Sequence, residues 1–332
     1  MRPKLKWVIG IGIIILSFFL AAIYQLCIPI SPGSSQEKVV DITKGMDAAQ
    51  IAGLLKESGI IRGKWGFRVL AKLKRAENRL KAGEYNLSPS MNLIRVLGIL
   101  EQGRVLERSF TIPEGYTTSQ IARVLAELGL VDEERFLKLT YDQKFISELR
   151  IRATSLEGYL FNGTYCISKG SKEEEIIELM VGQFNKTITQ NYRKRAAELG
   201  FTIHKIVTLA SIIEKETSAP AERSLVSAVF HNRLKRGIPL QSDPTVIYAL
   251  GKDFDGNLSK KDLMTESPYN TYLYPGLPPG PIANPGRAAI HAALYPAEVD
   301  YLYFVSKNDG THKFSTTHQE HIRAVRKYQK RR

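Results

Sequence analysis

Cysteine is almost missing: Cys27 and Cys166 are the only two among 332 residues. Two cysteines cannot build a disulfide framework, and they lack the spacing of a zinc site. No His-Glu-x-x-His occurs among the six histidines, although His318 and His321 stand three apart. No metal and no cofactor is therefore expected. The chain has no Gly-x-Ser-x-Gly elbow, which argues against that type of serine hydrolase, and no glycine-rich phosphate loop. Acidic residues are also short: 33 Asp and Glu face 47 Lys and Arg, a formal net charge of +14. Such a charge speaks of polyanionic partners, namely nucleic acid, an anionic membrane surface or another anionic polymer. What is present is ordinary for a globular protein, at 43% hydrophobic and 24% charged residues. The length allows about two domains at roughly 150 residues each.

Trp7 to Ile28 carries no charge, is mostly aliphatic and aromatic, and follows Arg2, Lys4 and Lys6. A run of that length spans a hydrocarbon core of ~30 Å as a helix. The preceding cations place the tail in the cytoplasm and the rest outside. A cleaved signal would need small residues at its end, and Tyr24-Gln25-Leu26 before Cys27 are not small. The expectation is an uncleaved single-pass membrane anchor, with the remaining chain extracytoplasmic. That placement argues against a nucleic-acid partner.

Beyond a linker at Ser31–Gln36 comes a near-repeat. Ile42-Thr43-Lys44-Gly45-Met46 leads into Gln50-Ile51-Ala52, and Ile112-Pro113-Glu114-Gly115-Tyr116 leads into Gln120-Ile121-Ala122. Both read as strand, glycine turn and amphipathic helix, with Asp47 and Thr117 as N-caps. Weaker copies precede Leu93 and Glu173. A basic helix is expected from Lys64 to Leu80. The pattern suggests small α+β units, such as a carbohydrate-binding module with a β-α-α-β core, although a strand–turn–helix without a ligand reads the same way.

From His204 the character changes. Ile206, Val207, Ala210 and Ile213 recur at helical spacing, and Glu214 stacks above Ala210 and Ser211. A carboxyl on so apolar a face loses hydration and has its pKa raised, as a general acid requires. A helix-end carboxylate paired with Lys215, Arg223 or Arg233 is the competing reading. Downstream lie Leu240–Thr245, Ser267–Tyr272 and Gly276–Gly286, rich in Tyr, Asn and Gln among prolines. Aromatic faces suit sugar rings, and amides suit their hydroxyl and acetamido groups; Pro/Gly loops also brace scaffolds. Tyr301 to Val305 reads as a strand.

Together these segments resemble the YceG-like family of endolytic murein transglycosylases. The resemblance rests on Leu156–Phe161, Ala210–Thr217, Phe230–Leu234, Leu240–Tyr248, Ser267–Tyr272, Gly276–Gly286, and Tyr301–Val305 with His312–Ser315. It departs at Asn162-Gly163, where the family usually shows Pro-Asp. The resemblance implies an α+β fold: an N-terminal transmembrane helix (7–28) after a cytoplasmic tail (1–6), a linker (29–38), a small LysM-like β-α-α-β module (39–105) and a mixed α+β catalytic domain (106–332). It implies Glu214, first glutamate of Glu-Lys-Glu-Thr, as the catalytic residue. Candidate substrate contacts are Gln241, Tyr269 and Asn270, with Asp243, Tyr272, Asn232 and Glu157 from the same motifs. The implied activity is lytic cleavage of the MurNAc-GlcNAc β-1,4 bond in nascent glycan strands. It leaves a 1,6-anhydroMurNAc end and terminates elongation. Implied partners are peptidoglycan strands and peptidoglycan synthases such as penicillin-binding proteins. The alternative is a membrane-anchored peptidoglycan-binding scaffold without catalysis.

Overall fold

The structure, a computed structural model, describes residues 28–329 together with Trp7, Ile13, Leu16 and Tyr24. The expected anchor at 7–28 otherwise lies outside the described residues. Among the described residues, no single helix is long and apolar enough to cross a membrane. The architecture is mixed α+β, with small two-stranded sheets among many helices. The chain divides into two compact units, one of residues up to Ser109 plus Cys166–Ser171, the other of Phe110–Tyr165 plus Lys172 onward.

The first unit runs β1 (Lys38–Ile42), α1 (Ala48–Glu57), α2 (Lys64–Leu73), β2 (Gly83–Leu87) and α3 (Leu93–Gln102). β1 and β2 pair antiparallel, with Val40 opposite Tyr85. Asp47 caps α1 by accepting from the Ala49 and Gln50 N–H groups, and Gln50 returns the bond to the Asp47 N–H. Such a reciprocal cap satisfies donors that the first turn otherwise leaves unpaired. Val40, Ile51, Leu55, Phe67, Tyr85, Leu97 and Leu100 close one apolar core. The basic helix is shorter than expected and stops at Leu73. Arg75 takes a left-handed backbone, φ 53°, and the Ala76 N–H reaches back to the Ala71 carbonyl. The turn tucks Ala76 wholly inside the core.

The second unit contains the helices α4 (Thr118–Glu127), α5 (Glu133–Tyr141), α6 (Gln143–Glu148), α7 (Glu173–Thr187), α8 (Gln190–Glu198), α9 (Ile203–Glu216), α10 (Arg223–Lys235), α11 (Asp243–Leu250), α12 (Arg287–Leu294) and α13 (His318–Tyr328). β3 (Glu107–Ile112) pairs with β4 (Gly163–Ser168), and β5 (Tyr303–Ser306) pairs antiparallel with β6 (His312–Ser315). The strand expected from Tyr301 begins at Tyr303, although the Leu302 N–H already donates to the Ser315 carbonyl.

α9 is the axis of this unit. Thr202 caps it by accepting from the Lys205 N–H, and the eight consecutive residues Ile206 to Ile213 are buried. A helix apolar nearly all round belongs inside a core, and α12, α10 and α11 pack against it. Gly158 shows how tightly the surrounding loops close. Its φ of +87° favours glycine, and a Cβ there would stand 2.5 Å from Pro281 Cγ and 2.9 Å from a Val207 methyl carbon.

Candidate active site

Glu214 sits in the last turn of α9, where the helix emerges from the core. Its side chain is 8% exposed. Oε2 accepts a hydrogen bond from the Gly286 backbone N–H at 3.0 Å, and Oε1 lies 3.5 Å from an Arg223 guanidinium nitrogen. Burial raises the carboxyl above the ordinary glutamate range, and the nearby negative charge of Glu114 adds to the rise. The Gly286 N–H, Arg223 and Lys215 oppose it without cancelling it. The result is an acid that keeps its proton to higher pH, with cations at hand to receive the anion once the proton leaves.

Glu114 is a neighbour that appears in the sequence only as part of the near-repeat's glycine turn. It belongs to the turn after β3, and the Asn162 amide donates to its Oε1 at 3.2 Å. Its carboxyl fills the space beside Gly286, where a Cβ would stand 2.1 to 2.4 Å from the carboxyl atoms. The glycine is therefore needed for close approach, since its φ of -75° is ordinary. Lys215 Nζ reaches the Gly115 carbonyl at 3.4 Å. Two buried polar atoms here, Arg223 Nε and Asn162 Oδ1, have no partner among the described residues. Buried polar atoms are rarely left so.

Asn284 ties this wall together. Its side chain donates to the Tyr116 carbonyl at 2.9 Å and to Glu157 Oε1 at 3.1 Å, and it accepts from the Leu160 N–H at 2.9 Å. Its backbone exchanges bonds with Gly115 and Tyr116. Glu157 is 4% exposed. It accepts from the Thr118 N–H at 3.0 Å and from the Tyr248 hydroxyl at 3.3 Å. Its donors hold it as an internal brace between loops, and burial pushes it up to about 7.

The other expected contacts divide. Asn270 is 0% exposed. Its amide donates to the Leu263 and Thr265 carbonyls, and its Oδ1 accepts from the Tyr272 N–H. No polar atom remains for a ligand, so it braces the loop. Asn232 likewise donates to the Val299 and Tyr301 carbonyls. Gln241 is exposed, on a left-handed backbone at φ 50°, with Oε1 3.5 Å from Arg233. Tyr272 donates its hydroxyl to the exposed Asp243. Tyr269 is half-buried, its ring 5.0 Å from that of Tyr248.

Glu216, two residues beyond Glu214, turns to a different neighbourhood, where the Ser242 hydroxyl donates to it. Burial pushes it up to about 7 from the usual 4.5, and Asp243 adds to the rise. The folded chain thus holds this proton longer than the unfolded chain, so ionising Glu216 costs stability as pH rises through that window. Relative to the native protein, Glu216→Gln should gain up to about 3 kcal/mol in unfolding free energy between pH 5 and pH 8. Urea titrations at the two values measure it. A difference that stays constant or shrinks would contradict the burial argument.

The model of the YceG-like family matches residues 40–327. The chain belongs to the YceG-like family. Relatives of this YceG-like chain include the endolytic murein transglycosylase of Bacillus subtilis (strain 168), 35% identical over 90% of this chain and 87% of that protein. The endolytic murein transglycosylase of Streptococcus pneumoniae serotype 2 is 32% identical, and the match spans 90% of this chain but 59% of that longer protein. A crystal structure of a YceG-like protein from Listeria monocytogenes superposes with a TM-score of 0.60 at 36% identity, covering 87% of this chain and 99% of that one.

Proposed function

We propose that this YceG-like chain is an endolytic peptidoglycan lytic transglycosylase with Glu214 as its acid and base. The observation that carries the reading is the Glu214 carboxyl itself. Its side chain is buried, its pKa is raised by that burial and by Glu114, and it is held by the Gly286 N–H beside two unpaired polar atoms. Glu214 protonates the glycosidic oxygen as its bond to the MurNAc anomeric carbon breaks. The carboxylate left behind is stabilised by Arg223, Lys215 and the Gly286 N–H. It then takes the proton from the sugar's own 6-hydroxyl, whose oxygen bonds to the same carbon. The product carries a 1,6-anhydro ring, and no water is consumed. Intramolecular attack supplies the proximity that an ordinary glycosidase obtains from a second carboxylate acting on water or as nucleophile. The negative charge of Glu114 complements the positive charge that develops on the sugar.

Gln241, Asp243, Tyr269 and Tyr272 are the residues of the downstream loops proposed to meet the glycan. Asn270 holds the 263–272 loop in place, Asn232 holds the segment at Val299 and Tyr301, and Glu157 ties Thr118, Tyr248 and Asn284 together. The β1–α1–α2–β2 order supports reading 39–105 as a LysM-like wall-binding module. The apolar run at 7–28 supports a single-pass anchor in the cytoplasmic membrane, with the catalytic unit outside beside peptidoglycan synthases. A net charge of +14 favours residence near an anionic wall.

Mass spectrometry of sacculi digested with the protein tests the activity. Internal glycan cuts ending in 1,6-anhydroMurNAc are expected, without uptake of oxygen from labelled water. Binding without new ends would leave the scaffold reading instead.

A further inference from the structure

At the far end of α9 from Glu214 lies a cavity of about 630 Å³ that the reaction does not use. Its floor is apolar, made of Ile151, Tyr159 and Phe184, all buried. Its rim carries three exposed arginines, Arg150, Arg152 and Arg193, and no carboxylate lines it. None of the three guanidiniums has an acidic partner among the described residues, whereas nearby Arg195 pairs with Glu198 at 3.2 Å. The first turn of α9 opens onto the same space through Thr202 and Ile203. Its leading backbone N–H groups have no acceptor within the helix, and the helix dipole puts positive potential there. His204 is not free to bind a ligand: Nδ1 is engaged by the Tyr159 hydroxyl and Nε2 by the Pro279 carbonyl, both at 2.8 Å. Ten residues of helix, roughly 15 Å, separate it from Glu214.

We infer that this cavity is a binding site for a diphosphate group. Three forked donors lining one cavity suit the oxygens of a phosphoryl anion, which accepts paired N–H bonds from guanidinium. A helix N-terminus adds backbone donors of the same preference. Three cations and a helix end exceed what one carboxylate or one phosphate balances. The apolar floor has room for the group that carries the diphosphate.

Isothermal titration of the full chain with inorganic pyrophosphate tests the assignment independently of glycan cleavage. Saturable binding is expected, weakening as salt is raised. The double variant R152A/R193A alters exposed side chains only, and should bind at least tenfold more weakly while its melting temperature is kept. R193K, which retains charge but loses the fork, should fall between the two, and it serves alone if the double variant does not fold. Glycerol phosphate and glutarate are the comparison ligands, one for a phosphomonoester such as a lipid headgroup, the other for a dicarboxylate. Both should bind more weakly than pyrophosphate. Equal affinity for either, unchanged affinity in the variants, or no saturable binding would overturn the proposal.

Discussion

Glu214→Gln should lower the rate of anhydro-end formation by about 10²- to 10⁴-fold, the range that a positioned proton donor contributes. Glutamine has the same shape, and its carbonyl can still accept from the Gly286 N–H that now holds Oε2. The surrounding fold and the affinity for glycan should therefore survive, and circular dichroism with a melting curve would check that. The loss belongs to the chemistry because an amide can neither give the glycosidic oxygen its proton nor take one from the 6-hydroxyl. The native enzyme should lose rate as pH rises past the pKa of Glu214, which burial and Glu114 hold above the ordinary range. Glu114→Gln removes one of those two influences and should move that alkaline limb toward lower pH. A Glu214→Gln variant that still produced anhydro ends at the native rate would end the assignment.

Asn284→Ala should cost about 2–3 kcal/mol of stability in denaturant unfolding. The side chain is 1% exposed and satisfies three groups at once: the Tyr116 carbonyl, Glu157 Oε1 and the Leu160 N–H. Alanine leaves the buried Leu160 N–H without its acceptor, while the Tyr116 carbonyl keeps the Asn284 backbone N–H and Glu157 keeps the Thr118 N–H and the Tyr248 hydroxyl. Activity should fall as well, because Asn284 fixes the 114–116 turn that carries Glu114 and leads directly into Gly286. Asn284→Asp separates packing from charge. It preserves the shape and the acceptor for Leu160, but sets a second carboxylate against buried Glu157, so it should be no better tolerated at neutral pH than alanine. A stability change within 1 kcal/mol for the alanine variant would show that the hub matters less than its bonds suggest.

The legible parts of this protein were those governed by neighbours in the chain. Asp47 and Thr117 were recognisable as caps because a capping box is a bond between positions three apart, and both boxes are present. The α9 stripe, and Glu214 upon it, followed from helical periodicity. The early stop of α2 was hidden because Arg75, not glycine, takes the left-handed turn. In the site, Glu114 and Gly286 could not be assembled from spacing, whereas Arg223, named from the sequence as a partner for Glu214, does stand 3.5 Å from it. Gly286 meets Glu214 across 72 residues, and nothing in a lone glycine announces which carboxylate needs its Cβ to be missing. The signal available for Glu114 was its place in the repeat, where its counterpart is Lys44. Asn270 misled for a related reason: an amide in an aromatic loop has the same composition whether it faces a sugar or two carbonyls behind it.

The bond from Asn284 to the Tyr116 carbonyl closes a loop of 168 residues. Closing a loop of that length costs more chain entropy than closing a local one. Glu214 acquires its Gly286 and Glu114 neighbours only when that loop shuts, whereas Arg223 and Lys215 are close to it in the chain. A growing or partly folded chain would carry the glutamate as an ordinary hydrated carboxylate, ionised at neutral pH and poor as a proton donor. If Glu214 is the acid as proposed, the surroundings that raise its pKa are complete only once the chain has been made and folded through Gly286.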